Sequence, residues 1–263
     1  MSDPILCTPK RLPRERLIEA AQRAVEINPT NQPHPAIAAR ALAGGAMGRE
    51  RLALVVGRRW PASGIKLTVG FLDNPPADLQ ARILLHMNAW GKTANVEFVA
   101  SNTDPKVRIA RLDQPPEMSG YWSYVGTEIL SIPKDEPTLN LEGFTMSTQE
   151  SEFHRVVRHE TGHTLGFPHE HMRRQLVAKI DPEKAIEYFG QTQGWSADDV
   201  RQQVLTPLED SSLLETGHAD SHSIMCYQIP GILTKDGKPI VGGLDIDKMD
   251  YAFAASCYPK NVH

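Results

Sequence analysis

The sequence predicts an α+β fold, because short strand-like stretches and helical patterns occur together in its first half and a long helical pattern follows them. The strand candidates are short, rich in β-branched and aromatic residues, and separated by turn formers. The helical stretches instead carry apolar residues three and four positions apart. Strands and helices in one continuous stretch indicate the α+β class.

Length and composition favour one catalytic domain with an additional segment, since the chain has 263 residues, of which 40% are apolar and 23% charged. The net charge of -4 gives no electrostatic reason to expect a nucleic acid or an anionic membrane as partner. The first residues lack the pattern of a secretory signal, and no run of 18 apolar residues occurs. We therefore expect a soluble monomer that is cytoplasmic or exported by a leaderless route.

The N-terminal part is predicted to be helical. Apolar residues at helical spacing predict a helix over 13–27, and a second short helix over 36–43 is bounded by proline and glycine. The change of pattern between Gly45 and Trp60 predicts a boundary. We expect residues 1–57 to form a helical extension, a candidate pro-segment, and residues 58–263 to form the catalytic domain.

The predicted catalytic domain begins with strands and ends its first half with a central helix. The predicted strands are 65–72, 96–100, 106–112 and 120–126, and the predicted helices are 76–90 and 148–166. Gly166 and Pro168 supply the stop signal of the central helix.

The central helix carries the pattern HETGHTLGFPH at 159–169. His159 and His163 are four residues apart, so both imidazoles project from one helix face and can reach one ion. Gly166 tolerates the sharp turn that brings His169 to the same ion. An HExxH pattern does occur by chance, but a glycine and a third histidine at this spacing favour a metal site over ordinary surface histidines.

Three histidines leave a fourth position for water, which is typical of a catalytic rather than a structural zinc site. Glu160, next to the first ligand, would accept a proton from the attacking water as general base. The predicted function is a zinc-dependent endopeptidase that acts on a peptide or protein. The alternative is a zinc-bound, non-hydrolytic peptide-binding protein, which would not need a carboxylate at this position.

The motifs resemble those of the astacin family within the metzincin peptidases. HExxHxxGxxH followed by a methionine turn is the metzincin signature, and SIMCY at 223–227 is similar to that turn. The zinc motif continues as GFPHE at 166–170, similar to the astacin GFxHE. WSYVG at 122–126 and the helical stretch 244–257 also resemble astacin segments.

This resemblance implies a twisted mixed sheet and a central active-site helix in an N-terminal subdomain, followed by a mostly irregular and helical C-terminal subdomain. It implies that Met225 forms an apolar floor below the histidines. It further implies that Tyr227 ligates the Zn2+ at rest and then moves to stabilise the tetrahedral intermediate. Glu170 would pair with the N-terminus of a matured enzyme, which places a cleavage between Gly45 and Trp60.

The cysteines depart from the astacin pattern. Tyr121 and Asn95 stand where the family has cysteines, so Cys257 lacks a partner and reduced thiols are expected. The FxGD segment of the family's propeptide is absent. Cys7 could block the zinc as a thiolate, but it lacks the flanking residues of a cysteine-switch peptide, so a free, partly buried thiol is expected. Cys226 is expected to pack rather than to ligate.

Metzincins hold peptides in extended form against an exposed edge strand. The stretches ILSIPK (129–134) and TLNLEGF (138–144) are both candidates for that edge, and the sequence does not distinguish them. His154 is expected to project to a different helix face from His159 and not to ligate the zinc.

Overall fold

The computed structural model describes Cys7 and residues 10–43, 48–207 and 220–260. It confirms the α+β class with one five-stranded mixed sheet. The strands are β1 (Ile65–Phe71), β2 (Val96–Ala100), β3 (Val107–Ala110), β4 (Tyr121–Ser123) and β5 (Leu139–Leu141). Their order is β2-β1-β3-β5-β4, and β4 runs antiparallel to β5 while the other pairs are parallel.

Helices precede the sheet, connect β1 to β2, and follow the last strand. They are α1 (Leu17–Ile27), α2 (Pro35–Leu42), α3 (Gly48–Val55), α4 (Ala77–Met87), α5 (Glu150–Glu152), α6 (Arg158–Thr164), α7 (Arg174–Val177), α8 (Pro182–Gln193), α9 (Ala197–Val200) and α10 (Lys248–Cys257). A π-helical turn, Phe153–Val157, joins α5 to α6, and the three pieces form the central helix. Among the described residues, no helix has the length and apolar character needed to cross a membrane.

Neither of the two stretches predicted to form the exposed edge strand lies at the edge of the sheet. The stretch 129–134 begins in a 3-10 helix, Gly126–Ser131, and the stretch 138–144 contains β5, which lies inside the sheet between β3 and β4. The edge near the metal motif is therefore β4. The sequence could not show this, because strand order is set by long-range pairing rather than by the residues of each strand.

The main core lies between the sheet and the helices α4 and α5–α6. Leu67 and Val69 of β1 are buried in the same apolar cluster as Ile83 of α4 and Phe153 and Val157 of the π turn. A π turn contains more residues per turn than an α-helix, so it changes which side chains of the central helix face the sheet. This packing fixes the position of the central helix before the predicted metal ligands begin.

The C-terminal part packs around a second apolar cluster and then returns to the sheet. Phe189 of α8, Val200 of α9 and Ile229 are buried in that cluster. Asp247 caps α10 in a capping box, which satisfies two backbone N–H groups at the helix start. After α10, the amide of Asn95 donates to the carbonyl oxygen of Tyr258 at 2.8 Å, so main-chain contacts join the chain end to the start of β2.

The N-terminal helices pack directly on the predicted catalytic domain. The side chain of Asn31 donates to the carbonyl oxygens of Ala24 at 2.9 Å and Arg59 at 2.8 Å. Arg58 forms a buried ion pair with Glu128 at 2.8 Å. Helix α3 was not predicted, because its apolar residues form a continuous run rather than a helical pattern. The boundary at residue 57 stays a prediction, since the packing is continuous across it.

Candidate metal centre

The central helix and the turn after it bring the three predicted histidines together. The Nε2 atom of His169 lies 3.1 Å from Nε2 of His159 and 3.0 Å from Nε2 of His163. The turn depends on Gly166, whose φ is +93°, and an added Cβ there would lie 2.9 Å from the carbonyl oxygen of Arg58. All three imidazoles are buried.

The hydrogen bonds of the imidazoles fit a cation between them. Nδ1 of His159 lies 2.6 Å from the carbonyl oxygen of Ile224, and Nδ1 of His163 lies 2.8 Å from that of Phe167. A carbonyl oxygen only accepts, so both Nδ1 atoms carry the proton and both Nε2 atoms present lone pairs. Burial lowers the pKa of His159 to about 4, which keeps that ring neutral. Lone pairs this close together repel unless a cation accepts them, and neutral imidazoles suit Zn2+.

Cys7 lies at the same centre. Its Sγ and one ring nitrogen from each of the three histidines all lie within 4.8 Å of one another. The thiol donates a hydrogen bond to Oε2 of Glu160 at 3.3 Å, and the Cys7 backbone forms a parallel β-bridge with Tyr121 of β4. We expected a free, partly buried thiol. The residue is indeed outside any disulfide, but it is buried beside the histidines and so provides a fourth candidate ligand.

Glu160 faces Cys7 from the central helix. Its side chain is buried, and Oε1 has no hydrogen bond among the described residues. Burial raises the pKa of Glu160 to about 8, and the hydrogen bond from the Cys7 thiol partly opposes that rise. Burial and the nearby Glu160 carboxylate also raise the pKa of the thiol. The carboxylate is thus positioned beside the histidines and shielded from solvent.

Tyr227 also reaches the centre. Its ring centroid is 4.2 Å from that of His169, and its hydroxyl donates to the main-chain carbonyl oxygen of Cys7. The side chain is buried. The structure thus places Tyr227 against His169, one of the three candidate metal ligands, whereas the role of Tyr227 as a zinc ligand stays a prediction.

Met225 packs against the central helix at the level of the histidines. A Cβ atom added to Gly162 of α6 would lie only 2.4 Å from Sδ of Met225 and 3.2 Å from Cζ2 of Trp90. The glycine between the two helical histidines thus lets the methionine approach the helix backbone closely. Its role as the apolar floor of a zinc site stays a prediction. Cys226 packs in the second apolar cluster, as expected.

Asp250, which sequence reasoning missed, holds the methionine turn. Its carboxylate accepts from the hydroxyl of Ser223 at 2.6 Å and from the amide of Ile224 at 2.9 Å. Burial raises its pKa to about 6. The only sequence signal was an acidic residue at the third position of a capped helix, which usually indicates capping alone.

Glu170 connects the third histidine to the methionine turn. Its amide donates to the carbonyl oxygen of Met225 at 2.8 Å, and its carboxylate forms an ion pair with Arg173. Oε1 also accepts from the amide of Asp220 at 3.0 Å. Pairing of Glu170 with a new N-terminus stays a prediction, and in this structure the carboxylate has these partners instead.

Comparisons with known proteins agree with the motif. The family model for Astacin, a peptidase family, matches residues 55–184. Zinc metalloproteinase nas-27 of Caenorhabditis elegans is 30% identical over 120 residues, which are 44% of this chain and 25% of that protein. The chain therefore spans about a quarter of the curated relative that it matches.

Two structures of myroilysin are similar over most of the chain. One has 30% identity and a TM-score of 0.71, covering 78% of this chain and 97% of myroilysin. The other, a crystal structure, has 28% identity and a TM-score of 0.58, covering 77% and 86%. The predicted resemblance is thus confirmed, together with Zn2+ as the cofactor. The chain belongs to the astacin family of zinc metallopeptidases.

Proposed function

We propose that this chain is a zinc-dependent endopeptidase in a latent state, with its own Cys7 lying where a peptide substrate binds. The observation that carries the proposal is the position of Cys7, which pairs with the edge strand β4 and places its thiol among the three histidines. Peptides commonly bind proteins by adding a strand to such an edge. Cys7 itself therefore occupies both the strand edge and the metal centre.

Glu160 is the proposed general base. Zn2+ bound by the three histidines would supply Lewis-acid activation of water and of the scissile carbonyl group. Oε2 of Glu160 accepts from the Cys7 thiol, so departure of Cys7 leaves both carboxylate oxygens available to take a proton. Once Glu160 has taken a proton from the attacking water, its burial, which raises its pKa, favours retention of that proton until it passes to the leaving amine.

Tyr227 is the proposed hydrogen-bond donor to the reacting carbonyl group. Its hydroxyl already donates to a main-chain carbonyl oxygen, that of Cys7, beside His169. A substrate bound along β4 would present a similar carbonyl oxygen there. Donors preplaced at the developing oxyanion lower the barrier of acyl transfer.

Release of the inhibitory segment is proposed to need a cut between Cys7 and α1, rather than between Gly45 and Trp60. Arg11 and Arg14 are exposed in this stretch, which suits a protease with trypsin-like specificity. In contrast, Trp60 is buried and its indole N–H donates to the last carbonyl of the central helix at 2.9 Å. Helices α1–α3 would then remain as a permanent part of the enzyme.

The central experiment compares wild type, Cys7→Ala and Cys7→Ala/Glu160→Gln on casein and on a peptide library, with zinc content measured for each. We expect Cys7→Ala to raise kcat/KM by at least about tenfold, because the fourth position becomes available to water. Adding Glu160→Gln should lower kcat by roughly 10²–10⁴ without loss of zinc, which is the usual contribution of a general base. Cys257→Ala, a second buried free thiol in the main core, is the matched control and should leave kcat/KM unchanged.

The outcomes separate the alternatives. Equal cleavage by the metal-replete double variant would overturn the role of Glu160. Peptide binding without any cleavage by Cys7→Ala would support the non-hydrolytic binding protein instead. Limited trypsin digestion followed by N-terminal sequencing tests the release site: an active form that begins between residues 45 and 60 would contradict the proposed cut. The monomeric state, the absence of nucleic-acid or membrane partners, and the compartment stay predictions.

A further inference from the structure

A second group of potential metal ligands lies on the outer side of the central helix, away from the three catalytic histidines. His86 of α4, Glu150 of α5 and His154 of the π turn offer ligand atoms that all lie within 4.8 Å of one another. The helical spacing predicts that His154 faces away from His159, and the sequence pattern indicates no role for His86. The structure brings these two histidines, His86 and His154, together, with ring centroids 5.2 Å apart.

We propose that His86, Glu150 and His154 form a second binding site for a divalent transition-metal ion such as Zn2+. Oε1 of Glu150 lies 3.1 Å from Nε2 of His86 and 3.5 Å from Nε2 of His154. Ligands about 2.0–2.1 Å from a tetrahedral zinc lie roughly 3.3 Å from one another, so these separations suit one ion. One carboxylate and two imidazoles, with a water, are an ordinary ligand set for zinc.

The second, independent observation is the state of His86. This side chain is only 2% exposed, and its Nε2 has no hydrogen bond within the described part of the chain, although it points at Glu150. A buried ring nitrogen without a hydrogen bond is costly, and coordination to a cation would remove that cost. Burial also lowers the pKa of His86 to about 4, so the ring is neutral at pH 7.

The surroundings of His154 favour coordination as well. Its Nδ1 lies 2.9 Å from Oδ2 of Asp245. A carboxylate that accepts from Nδ1 fixes the tautomer in which Nε2 presents a lone pair, and metal-binding histidines commonly have such a partner. Nε2 of His154 is the atom that faces Glu150.

Arg158 is the competing group at this site. Its Nη2 lies 3.2 Å from Nε2 of His154, and its Nε lies 3.3 Å from Nδ1 of His86. The same guanidinium forms a short ion pair with Asp245, Nη1 to Oδ1 at 2.5 Å. While Arg158 donates to Nδ1 of His86, the proton of that neutral ring is on Nε2, so Nε2 becomes a ligand only after the proton has moved to Nδ1. Metal binding therefore requires Arg158 to give up its contacts with both imidazoles, while its ion pair with Asp245 can hold the guanidinium.

Arg82 does not occupy the ligand position. It contacts Oε2 of Glu150 at 2.6 Å, which leaves Oε1 directed at the two imidazoles. A metal at this place would join α4 to the start of the central helix. We therefore expect binding to stabilise the fold, since any ligand that binds only the folded state does so.

The test is zinc binding by the full chain, measured by isothermal titration and by metal analysis after gel filtration. Wild type is expected to bind two equivalents, and addition of the second should raise the Tm. Glu150→Gln and His154→Gln should each weaken the second equivalent at least about tenfold and leave the first unchanged. Glu97→Gln is the matched control, because Glu97 is similarly exposed (55% against 58% for Glu150) and also paired with a basic side chain.

Two results would overturn the proposal: wild type that binds one equivalent only, or a second equivalent that Glu150→Gln and His154→Gln leave unaffected. Both variants are at partly exposed side chains, so they test the site without removing the buried His86. The first equivalent reports the catalytic centre separately. Failure of the second site therefore leaves the proposed peptidase function untouched.

Discussion

A substitution at Gly162 tests whether close packing of the methionine turn against the central helix stabilises this fold. We consider Gly162→Ala, which adds one methyl group between the two helical histidines. The new Cβ would lie 2.4 Å from Sδ of Met225, whereas unstrained heavy-atom contacts are about 3.5–4.0 Å. The sulfur, or the helix, must therefore move by more than about 1 Å. Such overpacking typically costs about 1–3 kcal/mol.

A second effect opposes this cost, since alanine in a helix interior is favoured over glycine by about 0.5–1 kcal/mol. The net expectation for Gly162→Ala is a loss of roughly 1 kcal/mol in the free energy of unfolding. Gly190→Ala in α8 is the matched control, because its added Cβ would meet only the carbonyl oxygen of Trp195 at an ordinary 3.6 Å. That variant should gain about 0.5–1 kcal/mol.

The assay is urea unfolding of the metal-free chains, which removes any contribution from zinc binding. A double-mutant cycle with Met225→Ala assigns the cost to the right contact, because shortening the methionine removes the clash. In that background Gly162→Ala should become neutral or stabilising. If Gly162→Ala were as stable as Gly190→Ala in the wild-type background, the proposed contribution of the Met225 packing to stability would be refuted.

Three further predictions concern groups that support the site. Asp250→Asn should destabilise the methionine turn by about 3 kcal/mol, since an amide nitrogen would face the donors that the carboxylate accepts. Because the pKa of Asp250 is raised in the folded chain, the folded state binds a proton at this carboxylate at pH values where the unfolded state has lost it. The stabilisation that comes from this proton therefore falls as pH rises from about 4 to about 6. Urea titrations across that range should show the slope in wild type and not in the variant. Arg58→Ala should cost about 3–5 kcal/mol because it leaves Glu128 buried without its ion pair, whereas Lys66→Ala at an exposed pair should cost under about 1 kcal/mol. Trp60→Phe should lower the free energy of unfolding by about 1–3 kcal/mol, through the lost indole hydrogen bond, and equal stability would contradict it.

The local patterns of the sequence were sufficient to predict the central helix and the candidate metal ligands on it. The four-residue spacing of His159 and His163 places both on one helix face whatever surrounds the helix, and Gly166 permits the turn to His169. Most strands were predicted within a few residues of their observed ends, because β-branched and aromatic runs bounded by turn formers are local signals. Helix α3 was missed, since a continuous apolar run has no helical period.

The sequence by itself thus predicted the residues of the candidate metal centre: three histidines, a neighbouring carboxylate and a methionine turn. Only the tertiary structure decided what meets that centre. Cys7 lies 153 positions before Glu160 yet donates to it, Asp250 supports the methionine turn from α10, and His86 meets His154 from a separate helix. Such contacts are set by strand order and helix packing, which depend on the whole chain. Helical and strand periods report only which residues share a face.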